Sequence, residues 1–145
     1  NFRRRQRRIE SRLGETVRIA SIVQKGMTTG RSSYVEMRAL ERLTHHNIRT
    51  KIQAIRSSAV GKDDIAEVLS RILSAVHGGY VDVLTPNGVV RENELDRLLS
   101  IDSEIVTCLG VIESQLDSQS KSREVGEILK ELVEERRRLI ESLRA

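Results

Sequence analysis

The sequence predicts an all-α fold: a long antiparallel helical hairpin over residues 2–60, with three further helices packed on or near it. Three observations carry this expectation. Apolar residues recur every three or four positions along most of the chain, the period of a helix with one buried stripe. Breakers and aromatics are scarce, with Pro86 the single proline and Phe2, Tyr34 and Tyr80 the three aromatic residues. Charged residues make up 32% and hydrophobic ones 38%, a profile of packed helices with a thin core rather than of a sandwich or an enzyme with a large pocket. At 145 residues the chain reads as one helical domain, 1–145.

The first arm of the hairpin sets Ile9, Leu13, Val17, Ala20, Val23 and Met27 on one stripe. The second arm does the same with Tyr34, Met37, Leu40, Leu43, Ile48, Ile52 and Ile55. Arms of about 25 residues run roughly 40 Å at 1.5 Å per residue. Joined by the short turn Thr28-Thr29-Gly30-Arg31-Ser32-Ser33, the two stripes are expected to bury each other. Ser33-Tyr34-Val35-Glu36 has the form of a capping box that would start the second arm, which then runs to about Ser58.

Gly61 interrupts the pattern, and an aspartate of the pair Asp63-Asp64 suits the cap of the next helix. Helices three and four are placed within residues 62–116. The third carries Ile65, Val68, Leu69, Ile72, Leu73 and Val76 on one side and stops at Gly78-Gly79. Residues 80–90 hold β-branched side chains around Thr85-Pro86-Asn87-Gly88, where proline second and glycine last suit a type I turn. A small β-hairpin and an extended linker fit this stretch equally. The fourth helix starts near Glu92, with the stripe Leu95, Leu98, Leu99, Ile105, Leu109, Ile112 and Leu116. Residues 117–122, DSQSKS, read as a polar linker without a core residue. The fifth helix spans residues 123–143 with the stripe Val125, Ile128, Leu129, Leu132, Leu139 and Ile140. The rest of it reads as charged surface, including the run Arg136-Arg137-Arg138.

Charge divides the chain. Residues 1–61 carry 14 Lys and Arg against 4 Asp and Glu, and residues 62–145 carry 11 against 17. The halves are expected to attract each other, and the basic half to seek an anionic surface when the acidic half is elsewhere. Arg4, Arg8 and Arg12 share one helical stripe, flanked by Arg3, Arg5, Arg7 and Arg18. With few acids interleaved, this stripe reads as a binding face.

No catalytic constellation emerges, and the chain reads as a non-enzyme without cofactor or metal. Adjacent His45 and His46 point to different helix faces, and no HExxH, CxxC or Gly-rich phosphate loop occurs. Cys108 is the single cysteine, which excludes an internal disulfide and suits a cytoplasmic location. It sits in an apolar helix and reads as a small core residue rather than a nucleophile. No apolar run approaches the ~18 residues needed to cross a bilayer. His46-Asn47-Ile48-Arg49-Thr50-Lys51-Ile52-Gln53-Ala54-Ile55 resembles the phosphoacceptor box of sensor histidine kinases. That resemblance implies a helical phosphotransfer or dimerisation domain using His46, although no ATP-binding domain follows.

A broader resemblance covers residues 3–143. Arg7-Arg8-Ile9-Glu10-Ser11-Arg12-Leu13, Tyr34-Val35-Glu36-Met37-Arg38-Ala39-Leu40, Asp64-Ile65-Ala66-Glu67-Val68-Leu69, Asn93-Glu94-Leu95-Asp96-Arg97-Leu98-Leu99 and Glu124-Val125-Gly126-Glu127-Ile128-Leu129-Lys130-Glu131 follow one another. Their order resembles the core of ESCRT-III proteins, especially the archaeal cell-division branch: a basic first helix, a second in hairpin with it, two shorter helices and an acidic fifth. The resemblance implies a filament-forming membrane-remodelling protein, peripheral on the inner face of the membrane. Its partners would be copies of itself or paralogues, and acidic lipid held by Arg3, Arg4, Arg5, Arg7, Arg8, Arg12 and Arg18. Gly61 would be the hinge at which two helices fuse. Ile128, Leu129, Leu132 and Leu139 would make the autoinhibitory or polymer contact of the fifth helix. The family's tail that recruits a AAA ATPase is not evident after Ala145, nor is a winged helix or an extra amphipathic N-terminal segment. A helical scaffold binding nucleic acid is the other reading of the basic face, though so few aromatics give single strands no stacking platform.

Overall fold

The computed structural model describes residues 30–59 and 63–145. Four helices make up most of them: α1 (Gly30–Ser58), α2 (Asp63–Ala75), α3 (Glu92–Ser114) and α4 (Gln119–Arg144), with a short 3-10 turn at Val81–Val83. The fold is all-α, as expected. The β structure among the described residues is one isolated antiparallel bridge, Leu84 to Val90. The predicted second arm is α1, and the predicted third, fourth and fifth helices are α2, α3 and α4. The first arm, with arginines 3–18, lies outside the described residues, as does Gly61.

The helices close a ring: α1 packs on α3, α3 on α4, α4 on α2, and α2 back on α1. Polar contacts fix their directions. Lys51, late in α1, reaches Glu113, late in α3, at 2.6 Å. Arg91, just before α3, donates to the Leu143 carbonyl near the end of α4 at 3.3 Å. So α1 and α3 run together and α4 runs against them. Inside the ring, Met37, Leu40, Ile48, Ile52 and Ile55 meet Leu69 and Ile72 of α2, Leu98, Ile105 and Leu109 of α3, and Leu129, Leu132 and Leu139 of α4. The stripe assigned to the hairpin thus belongs to a core shared by all four helices.

Several local expectations are corrected. Because α1 begins at Gly30, Ser33 lies inside the helix rather than at its cap. Ser33 is buried because it falls on the same face as Met37 and Leu40, so the capping box does not start this helix. Tyr34, placed on the stripe by periodicity, is 51% exposed. The polar linker is also shorter than expected. Ser118 is the N-cap of α4, its Oγ accepting from the Lys121 N–H at 3.3 Å. Ser122 is buried within α4 and donates to the Gln115 carbonyl at 3.0 Å. These hydroxyls satisfy backbone groups that helix ends leave open, which lets helix form where composition suggested coil. At the other end of α3, Glu92 and Glu94 occupy the first turn, where the helix dipole favours acids.

The connection from α2 to α3 is a minimal hairpin. Thr85 and Gly88 close the predicted turn by a 2.9 Å Gly88 N–H to Thr85 carbonyl bond, and the Thr85 N–H donates to the Val89 carbonyl at 2.8 Å. Gly88 has φ +78°.

Candidate functional site

The most constrained place in the bundle is a sealed polar cluster where the α2–α3 connection meets the other helices. Arg136 of α4 is 2% exposed and Asp102 of α3 is 3% exposed. Helical spacing explains both: Arg136 stands four residues from Leu132 and from Ile140, and Asp102 three residues from Ile105, so each occupies the buried stripe of its own helix. The Arg136 Nε donates to Asp102 Oδ1 at 2.7 Å and Nη2 to Asp102 Oδ2 at 3.3 Å, a bidentate fork. The remaining donors turn to the connection. Nη2 reaches the Gly78 carbonyl at 2.7 Å and Nη1 the His77 carbonyl at 3.4 Å.

Two glycines make that approach feasible. Gly78 and Gly79 have φ of +67° and +106°, conformations open chiefly to glycine. A Cβ on Gly79 would lie 2.9 Å from Ile140 Cδ1, 3.2 Å from Leu98 Cδ2 and 3.3 Å from Arg136 Nη2. The predicted helix stop at Gly78-Gly79 is therefore also the seat of the guanidinium.

Tyr80 completes the cluster. Its fully buried ring projects into the core and its hydroxyl donates to Asp102 Oδ2 at 2.9 Å. Burial first, and then the Asp102 carboxylate, hold the phenol well above its usual titration range, with Thr44 and Arg136 pulling the other way. The phenol thus stays protonated and serves as a donor. Thr44 Oγ1 is also buried and makes no hydrogen bond of good geometry among the described residues. From α1, buried Glu41 accepts the Val81 N–H at 2.9 Å and an Arg38 N–H at 2.9 Å. His45 Nδ1 lies 3.1 Å from the Val76 carbonyl, and so donates to it. Residues 76–81 are caught by side chains from α1, α3 and α4.

The Arg136–Asp102–Tyr80 centre of this cluster is closed to solvent, and its chemistry is that of a clamp. It holds three helices and one connection in register; it does not present a reactive group.

An open cleft of about 540 Å³ lies at the far end of the bundle, between α2 and α4. Ile65, Val68, Leu69 and Ile112 give it an apolar floor, and Asp64, Arg123, Glu127 and Lys130 a charged rim. Gly126 leaves space in it, since a Cβ there would meet nothing within 4 Å.

The sequence-predicted site residues fall as follows. Arg3, Arg4, Arg5, Arg7, Arg8, Arg12, Arg18 and Gly61 lie outside the described residues. Leu129, Leu132 and Leu139 are buried in the core, whereas Ile128 is 44% exposed on the outer face of α4. His46 is exposed, on a different face from His45, and Asn47 is half-buried beside it. Cys108 is half-buried, with burial and the neighbouring Glu104 pushing its thiol pKa up. No group of three or more His, Cys, Asp or Glu positioned to hold a metal occurs among the described residues.

Sequence reading missed Tyr80, Asp102, Arg136 and Glu41, and assigned Arg136 to charged surface. The signal was present: each of the three charged residues interrupts an otherwise apolar stripe at helical spacing. No family model, curated protein or solved structure matches the chain.

Proposed function

We propose that this chain is a filament-forming, membrane-associated helical protein of the ESCRT-III kind. It binds acidic membrane through its basic N-terminal residues and is held in a closed form by its C-terminal helix. The observation that carries the reading is the docking of the C-terminal α4 on α3 and α2, with its apolar stripe in the shared core, in a chain whose charge is split between its halves. The same docking tightens the regulatory part of the proposal. Because α4 supplies Leu129, Leu132, Leu139 and Arg136 to the interior, its release uncovers α3 and strands Asp102. A filament contact must replace those interactions, so opening is coupled to assembly or to membrane binding. Partners in this reading are other copies of the chain or paralogues, and acidic lipid.

Flotation on acidic and neutral vesicles tests the membrane half. Three arginines near an anionic bilayer contribute roughly 3 kcal/mol, screened by salt. Wild type should float with acidic vesicles at low salt and sink as salt rises. Arg4→Glu with Arg8→Glu and Arg12→Glu should abolish flotation while helicity is kept. Flotation that ignores salt or survives the triple change contradicts the reading.

The exposure of His46 supports one second reading, phosphotransfer through that imidazole. Acid-labile phosphate on His46 after incubation with a phosphorylated response regulator would favour it; His46→Ala with unchanged assembly favours the first reading.

A further inference from the structure

The outer face of α1 carries a straight row of arginines. At 100° per residue, Arg38, Arg42, Arg49 and Arg56 lie within about 40° of one line, over roughly 27 Å of helix. All four are exposed. The acids of α1 are Glu36 and Glu41, and Glu41 is buried, holding the Val81 N–H while reaching Arg38. Arg56 meets the Ser70 hydroxyl of α2. Arg42 and Arg49 have no ion-pair partner among the described residues.

The surface of α4 is organised differently. There Lys130 pairs with Glu127, and Arg137 with Glu134 and Glu141, each within one turn. Those ion pairs lie within α4 itself, whereas Arg42 and Arg49 of α1 have no neighbouring acid in such a pair among the described residues.

We infer that this arginine row on α1 is a second docking face for an anionic phospholipid bilayer, separate from arginines 3–18. The inference rests on the membrane reading proposed above and assigns part of the binding to residues that reading does not use. A straight, rigid row matches a planar surface along its whole length, whereas the phosphates of a duplex curve away from it. The exposed Tyr34 and Val35, at 51% and 63%, stand at one end of the row, where a ring and a branched aliphatic chain suit the headgroup boundary. Guanidinium groups also suit phosphate, which they bind through paired donors.

The test uses the full chain and vesicles of phosphatidylcholine with or without phosphatidylserine, at low salt. Each basic residue near the surface is worth roughly five-fold in partitioning. Arg42→Gln with Arg49→Gln should therefore weaken partitioning about thirty-fold. Lys130→Gln with Arg137→Gln removes the same charge from α4 and should change it only a few-fold. Circular dichroism should match across all variants, since these side chains are exposed. Equal losses in the two double variants, or no loss in the α1 variant, overturn the inference. If the α1 variant floats like wild type while Arg4→Gln with Arg8→Gln and Arg12→Gln does not, this inference fails and the proposed function stands. Wild type that ignores acidic vesicles, whether or not it binds duplex DNA, overturns both.

Discussion

Arg136 and Asp102, 34 positions apart, form a bidentate ion pair at 2.7 and 3.3 Å inside the bundle. The pair joins α3 to α4 across a buried interface, with Tyr80 and two backbone carbonyls as further partners. A buried ion pair is costly to break by removing one partner, yet often replaceable by apolar side chains of similar size.

That asymmetry gives the first prediction. Asp102→Ala leaves the Arg136 guanidinium buried without its carboxylate and should lower stability by about 3–5 kcal/mol. Asp102→Leu combined with Arg136→Met should recover most of that loss. Urea denaturation of the three proteins checks it. A single Asp102→Ala change within about 1 kcal/mol of wild type would mean that the pair does not clamp the bundle.

Tyr80 gives a pH prediction. Its folded pKa is raised by burial and by Asp102, while the unfolded phenol titrates near pH ~10. A group whose folded pKa is raised contributes stability that is complete below the unfolded pKa. That stability is lost as pH climbs toward the folded pKa. Melting temperature should therefore fall steeply above about pH 10. Tyr80→Phe should flatten this fall while reducing stability at neutral pH by roughly 1–3 kcal/mol, the effect of leaving a buried acceptor short of a donor. Parallel alkaline profiles for the two proteins would contradict the assignment.

Glycines at two positions should respond in opposite directions. Gly79→Ala places a methyl group 2.9 Å from Ile140 Cδ1 at φ +106° and should destabilise by roughly 1–3 kcal/mol or more, from backbone strain alone. Gly126→Ala adds a methyl group into open space inside α4 and should stabilise by up to about 1 kcal/mol. Thermal melts of both variants read the contrast directly.

Much of the fold was legible in the sequence, because helical periodicity is set by which residues face the core. The stripes Met37 to Ile55, Leu95 to Ile112 and Val125 to Ile140 contain most of the buried residues found there. The helix stop at Gly78-Gly79 and the turn at Thr85 to Gly88 followed from glycine and proline chemistry. What periodicity does not specify is which stripe meets which. Met37, Leu40 and Ile48 satisfy a hairpin partner and a four-helix core equally well, and the ring α1–α3–α4–α2 depends on contacts between residues far apart in sequence. The clamp was hidden for a related reason. A charged side chain is normally solvated, so Arg136 next to Arg137 and Arg138 looks like surface until Asp102 and the Gly78 carbonyl are seen beside it. The serines at 118 and 122 look like linker for the same reason, until their hydroxyls are found closing the ends of helices.

Filament formation on acidic membrane is the central claim, and direct imaging tests it most closely. The purified chain should be incubated with phosphatidylserine-containing vesicles and with neutral vesicles, then viewed by negative-stain electron microscopy. Regular filaments or coated, deformed membrane on the acidic vesicles, with bare neutral vesicles, is the predicted result. Smooth acidic vesicles without filaments, at concentrations where flotation shows binding, would contradict it.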